Sequence, residues 1–184
     1  EMEHDTRYSI RAAVKRGVSV KIFKTASQKM ECFEKFWAMF QETNKRHNLK
    51  IYPRQYYELV FGLNSECYSN VLIAEMGDKI LGGAIILFFG GGATYLYAAS
   101  LPGYGKFNAP TLILWKAIRE ARHEGVSIFD LWGISHEKSK WQGITAFKKS
   151  FGGKEINYSG TWDLSLKKGW HTLYDLAKRV LKRS

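Results

Sequence analysis

The sequence is short of cysteine, of proline and of long apolar runs, and each shortage excludes a class of protein. Its two cysteines, Cys32 and Cys67, have neither metal-ligand spacing nor the pattern of a disulfide framework, which is typical of a reducing compartment. The most apolar stretch, residues 80–89, contains glycines and is too short to cross a bilayer, so we interpret it as a core strand. The three prolines form no proline-rich linker. The chain starts at Glu1 without a visible signal peptide, and we expect a piece of a longer protein.

The motifs of covalent catalysis are missing too. The sequence has no G-x-S-x-G motif, no Ser/His/Asp arrangement and no convincing carboxylate pair. Its five histidines are scattered, as surface or capping residues are. Asp130 lies in an apolar segment, and we interpret it as the structural partner of an arginine rather than as an orienting acid. We therefore expect chemistry without an enzyme nucleophile, and no metal site.

Positive charge is what the sequence has in excess. It contains 28 Lys and Arg against 17 Asp and Glu, a net charge of +11. Such an excess favours an anionic partner, which is a nucleic acid, an anionic lipid surface or a phosphorylated substrate, although solubility alone also explains a moderate excess. Arg7, Arg11 and Lys15 recur at intervals of four in a predicted helix, so they share one face.

Hydrophobic periodicity and turn residues predict a mixed order of helices and strands. Helices are predicted at residues 6–17, 27–48, 53–63, 110–124, within 143–153 and at 169–182; strands are predicted at 18–23, 71–75, 79–89, 93–99, 128–134 and 154–163. Tyr95 and Tyr97 are expected on one face of their strand because side chains alternate with a period of two. An antiparallel meander followed by a helical crossover to a parallel strand is the layout of a GNAT-like acyltransferase. The predicted fold is therefore α+β, with a mixed, mostly antiparallel sheet flanked by helices.

The segment Gly143-Ile-Thr-Ala-Phe-Lys-Lys-Ser-Phe-Gly-Gly153 is the most informative in the chain. It lies between two predicted strands and combines two lysines with two aromatic residues and a double glycine. We interpret it as a cationic helix across the end of the sheet, where a fixed lysine can neutralise a phosphate or an oxyanion. A solvated basic helix is the alternative that a single Lys-Lys pair leaves open.

Several segments resemble the FemABX peptidyltransferases in their order and spacing. These segments are residues 108–125, Phe-Asp-Leu-Trp-Gly-Ile at 129–134, Phe-Lys-Lys-Ser-Phe-Gly-Gly at 147–153, Gly-Thr-Trp-Asp-Leu at 160–164 and the N-terminal Arg7-x-x-Ile-Arg-x-Ala-x-Lys-x-Gly-Val18. The resemblance covers nearly the whole chain and is to the second half of such proteins. It implies a single GNAT-like domain over residues 1–184, the C-terminal half of a two-domain protein whose N-terminal GNAT-like domain is missing here.

The resemblance also implies a reaction. Family members transfer an amino acid from aminoacyl-tRNA to the stem peptide of a peptidoglycan precursor, which is lipid II or UDP-MurNAc-pentapeptide. An amine of the stem peptide would attack the ester carbonyl, with no covalent enzyme intermediate and no cofactor besides the aminoacyl-tRNA co-substrate. We accordingly expect a cytoplasmic enzyme that associates peripherally with the inner face of the membrane.

Motif matching carries the family's functional residues onto this sequence. The catalytic lysine falls on Lys148, preceded by Phe147, and two tyrosines of the precursor site fall on Tyr56 and Tyr97. Where characterised members carry a precursor-binding arginine, this chain has Tyr52, with Arg54 two positions later as a substitute. Basic side chains would hold the tRNA backbone without reading its sequence. Those we assign to tRNA are Arg7, Arg11, Lys15 and Lys149.

Two other functions stay open. A coenzyme A-dependent GNAT-like N-acyltransferase would hold its cofactor at the Gly103-Tyr-Gly105 loop before a helix N-terminus, although the basic residue that leads the family's pyrophosphate loop is missing. The other is a non-catalytic module that binds tRNA or a membrane surface, since we expect half of the family's site to be missing.

Overall fold

The computed structural model describes residues 1–137 and 141–160, together with Tyr174 and Leu176. The chain divides into two compact units, Glu1–Gly153 and Lys154–Ser184. Residues 154–160 of the second unit form no strand, so the predicted strand at 154–163 is wrong over that range, and its last three residues lie outside the described part. The predicted helix at 169–182 also lies outside it, apart from Tyr174 and Leu176, which are helical. A single domain over residues 1–184 stays a prediction.

The described part of the first unit is a five-stranded sheet with helices on both faces. Its helices are α1 (His4–Lys15), α2 (Ala26–His47), α3 (Arg54–Gly62), α4 (Ala109–His123) and α5 (Gln142–Lys149), with a 3₁₀ turn at Gly105–Phe107. Its strands are β1 (Ser19–Phe23), β2 (Tyr68–Met76), β3 (Lys79–Phe89), β4 (Gly92–Ser100) and β5 (Ile128–Asp130). They are ordered β1-β2-β3-β4-β5, antiparallel except for the parallel pair β4 and β5. The predicted fold class is confirmed.

Two hydrophobic clusters lie on opposite faces of the sheet. One packs α1 and α4 against alternate residues of the strands, such as Leu72 and Ile86. The other packs the aromatic residues of α2 and α3 against the intervening residues, such as Ile73 and Ile85. Because β2 and β3 therefore bury both of their faces, their central residues are mostly apolar, and strict alternation is lost in the sequence.

A β-bulge in β4 separates two tyrosines that the sequence places together. Ile85 pairs with Tyr97 and Ile86 pairs with Tyr95, which leaves Leu96 as an extra residue on β4. An extra residue shifts the alternation by one position, so Tyr95 enters the α1/α4 cluster and Tyr97 enters the α2/α3 cluster. The expectation that both tyrosines share a face is wrong for this reason.

Helix α3 is fixed against α2 near both of its ends. At its start, Arg54 forms ion pairs with Glu34 of α2 and with Glu58. Beyond its end, the fully buried Lys29 of α2 donates hydrogen bonds to Leu63 O (2.6 Å), Ser69 O (3.0 Å) and Ser69 Oγ (3.1 Å). Burial without a carboxylate partner lowers the pKa of Lys29. These contacts position the tyrosines of α3 over the sheet.

Gly83 allows α2 to approach the central strand closely, and we expect its replacement to destabilise the fold. A Cβ atom at this position would lie 2.9 Å from Ile73 Cδ1, 3.0 Å from Phe36 Cδ2 and 3.1 Å from Leu72 O. Gly83→Ala should therefore lower the free energy of unfolding by about 1–3 kcal/mol, as overpacking does. Urea denaturation measures the loss. Gly62→Ala is the control, because a Cβ there has no atom within 4 Å. Equal stability of the two variants would contradict the packing argument.

Candidate active site

Lys148 is a buried lysine with a defined hydrogen-bond partner. It is 8% exposed, and its Nζ donates to Gly133 O at 2.8 Å. Burial lowers the pKa of its ammonium, and the nearby Asp130 carboxylate opposes that effect. One turn earlier in α5, Thr145 Oγ1 donates to Ser135 O (3.0 Å) and accepts from the Ser135 N–H (3.2 Å). Helix α5 is thus bound to the segment that follows β5, and Lys148 is held in one place.

The segment after β5 is shaped by Asp130. Its Oδ1 accepts a hydrogen bond from the Trp132 backbone N–H at 2.7 Å, and Trp132 adopts a left-handed conformation with φ of 64°. Strand β5 consequently ends at Asp130 rather than continuing to residue 134 as predicted. The predicted arginine partner is also wrong: Asp130 is exposed and pairs with no arginine among the residues that the structure describes.

The residues on either side of Lys148 point in different directions. Phe147 packs against the α1/α4 cluster, with its ring 5.4 Å from that of Phe151, while Lys149 is exposed. Successive helical residues lie about 100° apart, so the three cannot share one environment. Phe147 therefore helps to fix α5, and its predicted catalytic role and the tRNA-binding role of Lys149 stay predictions.

Four tyrosines form a cluster on the α2/α3 face, which we call the tyrosine cluster: Tyr52, Tyr56, Tyr57 and Tyr97. The Tyr97 hydroxyl donates a hydrogen bond to Tyr56 Oη at 3.3 Å. The Tyr57 ring packs 5.1 Å from Tyr97, and its hydroxyl accepts from the Tyr52 backbone N–H at 3.3 Å. Burial raises the pKa of Tyr97 and of Tyr57, so their hydroxyls stay neutral. The predicted site residues did not include Tyr57, because an aromatic residue of this helix is as typical of a core as of a binding site.

Of the two candidates for the replaced arginine, Tyr52 joins the tyrosine cluster. Its ring lies 4.6 Å from that of Tyr56. The guanidinium of Arg54 is instead bound to Glu34 and Glu58 and lies 5.1 Å above the Phe33 ring. The two carboxylates raise the pKa of Arg54. Its positive charge is thus already matched within the protein, and precursor binding through Arg54 stays a prediction.

The start of α1 contacts the end of α5. The Glu3 N–H donates to Ser150 O at 3.0 Å. Gly152, with φ of 79°, approaches so closely that a Cβ there would lie 2.8 Å from the backbone of Glu1. The turn after Lys148 therefore packs directly on the N-terminal segment.

One acidic cluster is neutralised internally. Ligand atoms of Glu120, His123 and Glu124 lie within 4.8 Å of one another. Lys24 Nζ lies 2.5 Å from Glu120 and 2.7 Å from Glu124, and these contacts raise the pKa of Lys24 to about 12. The lysine already supplies the positive charge, so we assign no metal to this group.

Comparison with known proteins identifies the family. The FemAB family model matches residues 1–76 and 63–179. The chain belongs to the FemAB family. No curated protein matches this FemAB-family sequence. Among the described residues, none of its helices is long and apolar enough to span a bilayer.

Solved structures support the same fold for this FemAB-family chain. It is similar to the crystal structure of FemX, with a TM-score of 0.69 and 17% identity, over 81% of this chain and 53% of that one. It is also similar to an aminoglycoside acetyltransferase from an uncultured soil metagenomic sample (TM-score 0.60, 11% identity, 84% and 99% covered). A third similar structure is the ribosomal-protein-S18-alanine N-acetyltransferase of Escherichia coli, with a TM-score of 0.54 and 14% identity, over 76% of this chain and 79% of that one. The chain spans about half the length of FemX. The family match and the shared fold confirm the predicted resemblance to the FemABX proteins at the level of family and fold.

The pKa of Lys148 in this FemAB-family chain should depend on Asp130. Asp130→Asn removes the carboxylate charge while its amide oxygen can still accept from the Trp132 N–H. We expect the pKa of Lys148, already below its ordinary value, to fall further. The ammonium is lost as pH rises through that lowered pKa, so any activity that needs it should decline at a lower pH in the variant. NMR titration of the lysine side chains measures the pKa directly. Asp78→Asn, in the turn between β2 and β3, is the control, and an unchanged or raised Lys148 pKa in Asp130→Asn would contradict the assignment.

Proposed function

We propose that this chain is part of an aminoacyltransferase that moves an amino acid from aminoacyl-tRNA to the stem peptide of a peptidoglycan precursor. Membership of the FemAB family is the observation that carries the proposal. The buried, oriented Lys148 supports it, because a preorganised cation in a desolvated place is suited to stabilising an oxyanion. Such a substrate pair puts the reaction in the cytoplasm, and at the inner membrane face when the precursor is lipid II.

The reaction needs an oxyanion site more than a nucleophile. The amine of the stem peptide attacks the ester carbonyl, a C–N bond forms, and the ester C–O bond then breaks. The proton lost by the amine ends on the departing ribose hydroxyl. The Lys148 ammonium has three N–H bonds and gives one to Gly133 O, which aims the others. Donation from Lys148 to the tetrahedral oxygen is the role we assign to it.

The tyrosine cluster is our candidate site for the precursor. Its hydroxyls are neutral donors and acceptors, and its rings offer apolar faces for a peptide or a sugar. Tyr52 stands where an arginine would supply charge, so we propose that the cluster holds an uncharged part of the precursor. Tyr56 and Tyr97, both half-buried, provide the hydroxyl pair that would fix its orientation.

The layer formed by α1 and α4 is our candidate surface for tRNA. Its helices and the adjoining Arg16 carry seven basic residues against two acidic ones. Among the described residues, only Arg7 of this basic set has a nearby carboxylate, 3.8 Å away on Glu1. The surface extends the predicted α1 face onto α4, and phosphates would contact it irrespective of sequence. The basic set is Arg7, Arg11, Lys15, Arg16, Lys116, Arg119 and Arg122.

A coenzyme A-dependent acyltransferase is the second candidate, because acetyltransferases share this fold. Local structure at the start of α4 argues against it. Pro110 removes one of the N–H groups that would face a pyrophosphate, and Asn108 is left-handed with no side-chain cap. The nearby Lys79 is already bound to Tyr104.

Thermal unfolding with separate ligands tests the proposal against the alternative. The full-length protein is heated with aminoacylated RNA, UDP-muropeptide, lipid II headgroup or coenzyme A. A ligand that binds only the native state stabilises it by about 2.7 kcal/mol at 100 times its Kd. We expect aminoacylated RNA and one precursor to raise the melting temperature. Stabilisation by coenzyme A, without an effect of RNA, would favour the acyltransferase instead.

A further inference from the structure

Trp132 is an exposed aromatic residue in a constrained backbone conformation. Its side chain is 56% exposed, and its φ of 64° is an outlier for a bulky residue. The hydrogen bond from its N–H to Asp130 Oδ1 (2.7 Å) helps to hold this conformation. An indole in such a position gains little from burial, and conformations of this kind occur most often at binding sites and active sites.

The position of Trp132 places it next to the candidate catalytic lysine. The following residue, Gly133, accepts the Lys148 Nζ–H at 2.8 Å. The ring of Trp141 lies on the same glycine, because a Cβ there would be 3.7 Å from Trp141 Cζ3. Gly133 therefore contacts both the Lys148 ammonium and the Trp141 ring, and the more exposed Trp132 directly precedes it in the chain.

We propose that Trp132 stacks on the unpaired terminal base of the aminoacyl-tRNA whose ester carbonyl lies at Lys148. This inference rests on the proposed function. The ester and the terminal base are attached to the same ribose, so a residue adjacent to the oxyanion site is within reach of that base. Recognition of single-stranded RNA ends relies on aromatic side chains that stack with splayed bases. Trp132 is therefore a substrate-binding residue, and Asp130 positions it.

The test uses a short probe that reports on this site alone. The probe is a CCA trinucleotide whose terminal ribose carries an amide-linked amino acid, which cannot be hydrolysed like the ester. Its dissociation constant is measured by calorimetry for the full-length protein and for Trp132→Asn. Asparagine tolerates the left-handed conformation, so the backbone is kept while the ring is removed.

We expect Trp132→Asn to weaken probe binding about 5- to 150-fold, the effect of losing one stacked base. Trp132→Phe keeps an aromatic face and should recover most of the affinity. Phe89→Ala is the matched control, because it removes an exposed aromatic residue (67%) at the end of β3 and should leave probe binding unchanged. Equal melting temperatures for Trp132→Asn and the parent protein exclude unfolding as the cause.

A second probe with an abasic terminal nucleotide completes the cycle. In the parent protein, removing the base should weaken probe binding by the same factor as the Trp132→Asn substitution does. In Trp132→Asn, removing the base should weaken binding little further. Equal losses in both proteins would mean that the base binds elsewhere and would overturn the inference, as would full affinity in Trp132→Asn. Failure of the parent protein to bind either probe would instead reject the proposed use of aminoacyl-tRNA, and the stacking role with it.

Discussion

Lys148→Ala is expected to lower the rate of aminoacyl transfer by the full-length enzyme about 10²–10³-fold, the usual effect of removing one oxyanion donor. The side chain is buried and directed by Gly133 O, so a water molecule or a neighbouring cation cannot easily replace it. Steady-state transfer from aminoacyl-tRNA to the precursor measures the effect. Because the interaction is made in the transition state, kcat and kcat/KM should fall together.

Lys149→Ala is the matched control for this experiment. Lys149 is the next residue of α5, has the same charge and is exposed. Its removal should change the rate much less. Circular dichroism and thermal melting must show that Lys148→Ala is folded, because its loss leaves Gly133 O without this donor. A folded Lys148→Ala enzyme with nearly the parental turnover would reject the catalytic assignment.

The second large effect concerns RNA binding to the α1/α4 layer. Each neutralised phosphate contributes about −0.7 to −0.9 to the slope of log affinity against log salt concentration. We expect weak binding of tRNA with a steep slope. The double charge reversal Arg7→Glu and Arg11→Glu should weaken binding severalfold at low salt and flatten the slope by about 1.4–1.8, for two lost contacts. The loss should be the same for any RNA sequence, because phosphate contacts carry no sequence information.

The opposite layer provides the control for charge reversal. Lys35 and Lys45 are exposed on α2, and replacing both by glutamate changes the net charge by the same amount. Binding is measured with charged and uncharged tRNA at two salt concentrations. Equal effects of the two double variants would show a response to net charge alone. An affinity that does not depend on salt would show that the basic face of α1 is a solvated surface.

Helices and long strands could be predicted because their signals are local. The Thr25 capping box with Gln28 begins α2, and the left-handed Asn48 ends it. Each boundary of the helix is therefore determined by a few neighbouring residues in the sequence. The motif around Phe147 and Lys148 likewise predicted a short helix, and α5 is found there, bound to the segment that follows β5. Such features depend on neighbours in sequence rather than on the fold.

Other features depend on contacts that no local pattern encodes. The bulge at Leu96 arises from the pairing of β4 with β3, so it separates Tyr95 from Tyr97 without any sign in the tyrosine spacing. Arg54 is bound by Glu34, which is 20 residues away in the chain. Asp130 ends β5 by a side-chain bond to a main-chain N–H, where hydrophobicity predicted a longer strand. The left-handed conformation of Trp132 occurs at the same bond.

The contact between the start of α1 and the end of α5 has a consequence for the geometry of the reaction. It is made by main-chain groups, through the Glu3 N–H and Ser150 O and through the close approach of Gly152 to Glu1. The distance between the helix that carries Arg7 and the helix that carries Lys148 is therefore set by a main-chain hydrogen bond and by the lack of a side chain at Gly152. A nucleic acid lying along the first helix would always meet the lysine at the same separation, and changes in the basic residues would alter how tightly it binds but not where its end arrives.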